Sequence, residues 1–340
     1  MSPLIPTTAE QVKLYCAQIG KDPLLTQGAG GNVSWKDGNI LWIKASGTWL
    51  ADADKKDIFI PVDLPHLRQE MTQKNFSVTP KVVGDSTLRP SIETMLHALM
   101  PHKVVVHLHA VEILAYLVRA NPLADLPPLI GDTVKWVLVD YFKPGAELAQ
   151  AVSEHIADNP SVNVIFLRNH GLVVGADSIA KVKQIIEDLI LTFNSNKGKS
   201  LPKQEASFMP KEVDGYVYFQ NDALHELARN IEYFNCLKTK WALYPDHIVF
   251  LGPAAYVYKS YDEFMRTRVT MNELPEVIFI YGEGVYVLPA FSKAKAEQLL
   301  CYYEILRRQQ TLSQLRSLSD AQVLELIDWD AEKYRQQHKP

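Results

Sequence analysis

The stretch that most constrains this 340-residue chain is a short apolar run that ends in two histidines, Lys103-Val-Val-Val-His107-Leu-His109-Ala110. Its length and its valines favour a β-strand over a helix. Residues i and i+2 of a strand project from the same face, so we expect His107 and His109 to point at one object. Neutral imidazole is the commonest transition-metal ligand, but a catalytic zinc needs three protein ligands and an open position. Two ordinary strand histidines, one packed in the core and one near solvent, are an equal alternative at this stage.

A third histidine follows another apolar strand. Residues 163–168 read as a strand that runs into Asn169-His170-Gly171, and residues 172–175 read as the next strand. If these strands neighbour the one that carries His107, His170 completes a set of three histidines.

A carboxylate lies upstream of this set. Pro90 and Ser91 indicate the start of a helix, which would place Glu93 in its first turn, where the helix dipole favours an ionised carboxylate. His97 lies four residues further on the same helical face. For His97, packing or hydrogen bonding as a neighbour is favoured over metal ligation.

Two glycine-containing loops can approach an anion closely with their backbone amides. The first, residues 27–35, holds Gly31 and Asn32 and begins like a GxGxxG fingerprint, but Val33 takes the place of the last glycine. It also leads into a strand, whereas a dinucleotide fingerprint opens a helix, so we exclude a Rossmann site here. The second loop holds Ser46 and Gly47. A plain structural turn remains the alternative for the first loop.

The rest of the chain reads as alternating elements. Further strands are predicted at residues 40–45, 57–63 and 135–140, and helices at 7–20, 110–120, 146–158 and 177–195. Residues 64–88 are polar with little pattern. Residues 201–215 are the predicted linker between a first domain, 1–200, and a carboxy-terminal α+β region, 216–340. In that region we expect a helix at 222–240, strands at 246–251, 277–281 and 285–288, and helices at 292–317 and 319–337. A metal or acid–base role for Asp246 and His247 is less favoured than a simple strand start.

Composition narrows the classes of function. A net charge of -4 offers no basic field for nucleic acid. Cys16, Cys236 and Cys301 are odd in number and far apart, which favours a reducing compartment over disulfides or a thiolate metal site. The amino terminus lacks the apolar core of a signal peptide, and no run approaches a membrane span of about 18 residues. These features predict a cytoplasmic protein without a membrane partner.

Five segments in order carry a family resemblance. Residues 30–34 (Gly-Gly-Asn-Val-Ser), 45–47 (Ala-Ser-Gly), 90–93 (Pro-Ser-Ile-Glu), 107–109 (His-Leu-His) and 169–171 (Asn-His-Gly) resemble the class II aldolase/adducin family. Its members include fuculose-phosphate and rhamnulose-phosphate aldolases and ribulose-phosphate 4-epimerase. The resemblance covers about residues 8 to 200. Residues 222–252 are more loosely similar to the longer aldolase halves of bifunctional rhamnulose-phosphate aldolase/dehydrogenase proteins.

The resemblance implies the roles of particular residues. His107, His109 and His170 would bind one zinc per subunit, with another divalent metal as the alternative, and Glu93 would shuttle the proton. Tyr141 would be a proton donor. The residues that would cradle a substrate phosphate are Gly31, Asn32, Ser46, Gly47 and Ser91. The implied fold is a three-layer αβα sandwich around a mixed, largely antiparallel sheet, assembled as a homotetramer.

The predicted function is therefore a zinc-dependent aldehyde-lyase that cleaves a ketose phosphate or related hydroxy-ketone through a metal-stabilised enediolate. A metal-dependent epimerase or dehydratase on the same scaffold is the alternative, and a non-catalytic adducin-like interaction module is less favoured. The resembled aldolases commonly carry two serines before the glutamate, whereas this chain has Ser91-Ile92. The loss of one hydroxyl donor weakens the case for a phosphate, so a non-phosphorylated or differently placed anionic substrate stays open. Arg89 and Lys44 could supply positive charge instead, although both residue types are more often solvated.

Overall fold

The apolar run before His107 forms the middle strand of a seven-stranded sheet in the computed structural model. The sheet order is β3-β2-β1-β4-β7-β6-β5. Its strands are β1 (Asn32–Asp37), β2 (Ile40–Lys44), β3 (Phe59–Asp63), β4 (Val104–Leu108), β5 (Trp136–Val139), β6 (Val164–Leu167) and β7 (Gly171–Ala176). All five residues of β4 are buried, because the strand lies at the centre of the sheet with other layers on both faces.

The sheet is mixed and largely antiparallel, as the sequence predicts. β4 pairs antiparallel with β1 on one side and with β7 on the other. The pairs β1–β2, β2–β3 and β6–β7 are also antiparallel, and β5 pairs parallel with β6. Because β7 pairs directly with β4, His170, the residue before β7, can lie next to His107 and His109.

Helices cover both faces of this sheet. They are α1 (Thr8–Ile19), α2 (Leu64–Thr72), α3 (Thr94–Leu99), α4 (Val111–Leu117), α5 (Pro122–Ile130), α6 (Ala146–Asp158) and α7 (Ile179–Ser195). Helices α1, α4 and α7 pack together against β1, β4 and β7. On the opposite face α3 and α6 pack on buried side chains such as Val105, Ile165 and Val173. The result is three layers, helix on sheet on helix.

The structure describes residues 7–195, 212–327 and 329. They fall into two compact units, one within Met1–Asn196 together with the stretch that holds Trp329, the other within Lys197–Ile327. Most of the predicted linker lies outside the described residues, so its position stays a prediction. Among the described helices, none has the length and apolar character needed to cross a membrane.

The second unit contains a smaller sheet in the order β8-β11-β10-β9. Its elements are β8 (Val217–Tyr218), α8 (Glu226–Arg229), α9 (Ile231–Thr239), α10 (Pro245–Leu251), β9 (Tyr256–Tyr258), α11 (Tyr261–Arg268), β10 (Val277–Ile280), β11 (Gly284–Val287), α12 (Lys293–Leu306) and α13 (Asp320–Leu324). The predicted hairpin is present as β10 and β11, which pair antiparallel.

One predicted strand is wrong. Residues 246–251 belong to the helix α10, not to a strand. Pro245 occupies the start of this helix and Asp246 its first turn, and Gly252 ends it with a φ of 85°. A six-residue apolar run has no periodicity that separates a strand from a buried helix, so these end residues were the better signal.

Several predicted element bounds also differ. The helix predicted at 222–240 is broken at Asn230, whose side chain accepts from the amides of Glu232 and Tyr233 and so begins α9. Residues 64–88, read as patternless, include α2, which Asp63 caps. The predicted helix at 292–317 ends at Leu306, where its apolar pattern stops, and α13 is the described part of the helix predicted at 319–337.

Candidate metal centre

Three buried histidine rings converge at the carboxy-terminal end of β4. His107 and His109 lie on the last residues of this strand and just beyond it, and His170 immediately precedes β7, which pairs with β4 in the register His107↔Val173. One ring nitrogen from each histidine lies within 4.8 Å of the others. The Nε2 atoms of His107 and His109 are 3.1 Å apart. The sheet topology thus brings together residues that are 61 positions apart in the chain, as the sequence required of a three-histidine set.

The turn between β6 and β7 determines where His170 lies. Asn169 has a left-handed backbone, φ 52°, which asparagine tolerates better than most residues, and the amide of His170 donates to the carbonyl of Leu167 at 3.1 Å. Gly171 then passes very close to β4. A Cβ at Gly171 would lie 2.4 Å from the carbonyl oxygen of Leu108 and 3.1 Å from Cδ2 of His109. The Asn-His-Gly sequence is therefore a steric requirement of this approach.

The hydrogen bond on the far side of His107 prepares its ring for a metal. Nδ1 of His107 lies 3.1 Å from the carbonyl oxygen of Leu172. A carbonyl only accepts, so Nδ1 carries the proton and Nε2 presents its lone pair to the other two rings. Two nitrogens that share a tetrahedral zinc at 2.0–2.1 Å lie about 3.3 Å apart, close to the observed separation of His107 and His109. The donor set and its spacing therefore fit a divalent metal.

Glu93 lies beside the histidines but not in the helical turn that the sequence predicts. α3 begins at Thr94, and Glu93 is the residue before it, with a side chain that makes no capping bond. Its Oε2 is 3.5 Å from Nε2 of His107, and its Oε1 is 3.5 Å from Nε2 of His170. Burial raises the pKa of the Glu93 carboxyl, but the His107 and His170 rings and the Asn32 amide outweigh it and bring the pKa to about 2. Both carboxyl oxygens of Glu93 thus face the cluster.

A row of polar side chains on β1 faces Glu93 and α3, and the sequence analysis did not find it. Asn32 donates from Nδ2 to Oε2 of Glu93 at 2.7 Å. Ser34 bonds Nδ1 of His97 at 2.7 Å, and Lys36 donates to the carbonyls of His97, Met100 and His102 at 3.1, 2.5 and 2.7 Å. The signal was available: polar residues at alternate positions of an otherwise buried strand, opposite Glu and His at i and i+4 of a helix.

The predicted role of His97 as a hydrogen-bonded neighbour agrees with this arrangement. His97 is fully buried, and its Nε2 bonds Oδ1 of Asn32. Burial lowers the pKa of His97 to about 3, so the ring is neutral.

The two glycine loops and the Ser91 segment lie close to one another in the first unit. Gly31 has φ 64°, and a Cβ there would be 2.9 Å from the carbonyl oxygen of His107. The amide of Ser46 donates to the carbonyl of Arg89 at 2.8 Å, and Ala45 and Pro90 form an antiparallel bridge. The second loop therefore lies directly beside the segment that leads to Ser91.

Lys44 links the two loops, and the expectation of a solvated side chain is wrong. Lys44 is 2% exposed and donates from Nζ to the carbonyl of Ala29 at 3.1 Å. Backbone carbonyls can stabilise a buried ammonium group by hydrogen bonds. The general preference of lysine for the surface does not take such partners into account.

Tyr141 belongs to the segment that follows the last strand in the sheet order. It follows β5, the edge strand, and strands β6 and β7 separate β5 from β4. With strands about 4.8 Å apart, three steps amount to roughly 14 Å. The strand register does not by itself bring Tyr141 to the histidines, so its role as a proton donor stays a prediction.

Comparison with known proteins identifies the family of this chain. Residues 11–193 match the model of the Class II Aldolase and Adducin N-terminal domain. An L-fuculose phosphate aldolase of Methanococcus maripaludis is 33% identical over 153 residues, which are 43% of this chain and 72% of that protein. The chain belongs to the class II aldolase and adducin family. Class II aldolases depend on a metal, and the buried triad of His107, His109 and His170 could hold one.

Two other similarities extend the comparison. The uncharacterized oxidoreductase YuxG of Bacillus subtilis is 26% identical over 289 residues, 72% of this chain, but the match spans only 41% of YuxG. The N-terminal class II aldolase domain of a conserved protein from Thermoplasma acidophilum has 24% identity and a TM-score of 0.49, over 57% of this chain and 96% of that one.

Proposed function

We propose that this protein is a zinc-dependent aldehyde-lyase that cleaves a ketose phosphate or a related hydroxy-ketone by a retro-aldol reaction. The observation that carries this proposal is a buried Glu93 whose two carboxyl oxygens each lie 3.5 Å from one of three convergent histidines. Membership of the class II aldolase family supports a lyase, and the name of the Methanococcus relative supports a sugar phosphate as the substrate class.

The chemistry asks for two things of such a site. When the carbon–carbon bond of a β-hydroxy-ketone breaks, its electron pair remains on the ketone half as an enediolate, and the hydroxyl on the other half must lose its proton. A divalent metal held by neutral imidazoles would supply a Lewis acid next to the ketone oxygen. Glu93, as a buried anion, can accept a proton and return it to carbon when the ketone half is released.

The remaining predicted residues complete the proposal. The Gly31–Asn32 loop, the Gly47 amide and the hydroxyls of Ser46 and Ser91 would receive the phosphate, because these segments adjoin one another beside β1 and β4. Tyr141 would act on the hydroxyl of the aldehyde half, relaying its proton during cleavage and donating a proton to the aldehyde oxygen in the reverse condensation. We further propose a cytoplasmic homotetramer, which sedimentation velocity tests directly; a stable monomer would contradict it.

The decisive experiment is a cleavage assay on a panel of ketose 1-phosphates and their unphosphorylated analogues, with coupled detection of the released aldehyde. We expect the wild type to cleave at least one member and Glu93→Gln to lose about 10²- to 10⁴-fold in kcat while keeping its metal. Glu154→Gln, an exposed glutamate on α6, is the matched control and should retain wild-type kinetics. No cleavage together with interconversion of pentulose 5-phosphates would favour the epimerase instead.

Metal content is tested separately from activity. Elemental analysis of purified protein should find about one zinc per chain in the wild type and in His155→Ala, and little in His170→Ala. Well-folded wild-type and His170→Ala proteins with equally little zinc would refute the site.

A further inference from the structure

We propose that His97 is a positioning residue: through the carboxamide of Asn32 it fixes the orientation of the Glu93 carboxylate toward the three histidines. This inference rests on the proposed function of Glu93 as the proton-transferring group. It gives His97 a role beyond that of a packed neighbour, and it gives the Asn32 side chain a role other than binding phosphate.

The hydrogen bonds have one consistent direction. The amide nitrogen of Asn32 lies 2.7 Å from Oε2 of Glu93 and donates to it. The opposite rotation of the amide would place two acceptor oxygens against each other. Oδ1 of Asn32 then faces Nε2 of His97, which must donate. A neutral imidazole with a proton on Nε2 has its lone pair on Nδ1, and there the Ser34 hydroxyl donates at 2.7 Å.

The geometry of the two facing elements makes this chain of bonds rigid. Asn32 and Ser34 are alternate residues of β1, about 6.7 Å apart along the strand. Glu93, the residue before α3, and His97 on α3 are four residues apart, about 6 Å along the helix axis. These two spacings are nearly equal, so Asn32 faces Glu93 and Ser34 faces His97. Lys36, the next residue on this face, bonds the carbonyl of His97 and so holds the end of the helix on β1.

Burial makes the orientation matter. Asn32 is 6% exposed, Glu93 5%, and Ser34 and His97 are fully buried. Water therefore does not offer replacement partners at His97. If the imidazole is removed, Oδ1 of Asn32 loses its donor, and only the contact with Glu93 still favours the observed rotation of the amide. The Asn32 side chain then holds Glu93 less firmly in the geometry in which its two oxygens face His107 and His170 at 3.5 Å each.

The test compares three substitutions. His97→Leu removes the donor, His97→Gln keeps an N–H donor near the position of Nε2, and His66→Leu on α2 is the control. We expect His97→Leu to lower kcat about 10- to 100-fold, the range for a hydrogen bond to a charged group, with KM and zinc content nearly unchanged. His97→Gln should recover most of kcat. Wild-type kinetics in His97→Leu, or equal loss in both His97 variants, would overturn the proposal.

A second readout does not depend on activity. In metal-free protein with ¹⁵N-labelled histidine, two-bond ¹H–¹⁵N spectra at pH 7, assigned with His97→Gln, should show His97 protonated on Nε2 alone. Protonation on Nδ1 would reverse the chain and refute the inference. Because this measurement needs neither substrate nor metal, it decides the hydrogen-bond chain even if the protein cleaves none of the sugar phosphates, an outcome that would count against the proposed function alone.

Discussion

Replacing Gly171 by alanine tests the steric basis of the metal centre. The added Cβ would lie 2.4 Å from the carbonyl oxygen of Leu108, 3.1 Å from Cδ2 of His109 and 3.2 Å from Cε1 of His107. A carbon–oxygen contact in a sheet is normally at least about 3.3 Å, so β4 and β7 must separate by about 0.9 Å at this point. That displacement moves two of the three proposed ligands relative to the third.

The expected cost has two parts. Overpacking a buried site against backbone costs about 1–3 kcal/mol, which lowers Tm by roughly 2–4 °C per kcal/mol for a unit of this size. A misplacement of about 1 Å at reacting groups costs on the order of 10²-fold in rate. We therefore expect Gly171→Ala to bind zinc more weakly, measured by competition with a chromophoric chelator, and to lose most of its lyase activity.

Gly175→Ala is the matched control. It lies on the same strand, and its Cβ would also meet an atom at 2.4 Å, but that atom is Nδ1 of the His102 side chain, which can rotate away. We expect a smaller loss of Tm and unchanged zinc affinity. If Gly171→Ala binds zinc as tightly as the wild type and unfolds at the same temperature, the close approach of β7 to β4 is not what holds the histidines.

Two further predictions concern stability. Chelation should lower the Tm of the wild type but not of His170→Ala, because a ligand bound only to the folded state stabilises it by about 4 kcal/mol at 1,000 times its Kd; equal Tm values with and without chelator in both proteins would contradict a resident metal. In the second unit His247 is fully buried against the rings of Trp241 and Tyr302, and burial lowers its pKa to about 3 from an ordinary 6.5. Below pH 6.5 the unfolded chain therefore binds a proton that the folded chain does not. As the pH is lowered from 6.5 to 3, the free energy of unfolding decreases by up to about 1.4 kcal/mol per pH unit. Between pH 7.5 and pH 4.5 the free energy of unfolding, measured by urea titration, should fall less in His247→Phe than in the wild type. An equal fall in both proteins would refute this prediction.

The row of bonds between β1 and α3 explains why polar residues occupy the centre of this sheet. Asn32, Ser34 and Lys36 are all buried on one face of β1, a position that apolar side chains would fill if packing alone mattered. Each has a partner on or next to α3, so the cost of burying it is offset by hydrogen bonds. In the role proposed for His97, these buried polar residues orient the Glu93 carboxylate.

The sequence by itself determined the features that depend on near neighbours in the chain. Alternation places His107 and His109 on one face of a strand, and valines around them make the strand apolar. The Asn-His-Gly turn and the glycine loops follow from backbone preferences of single residues. Five such segments in order were enough to indicate the family, and the match over residues 11–193 confirms that prediction.

Only the tertiary structure decided which of these local features meet. β7 pairs with β4 and so delivers His170, whereas β5 lies three strands from β4, and the strand order alone does not bring Tyr141 to the histidines. The same holds for Lys44, whose burial depends on a loop carbonyl 15 residues away. The physical reason is common to all of them: strand and helix periodicity is set by local backbone geometry, while partners are selected by long-range packing and by the need of each buried polar group for a hydrogen bond.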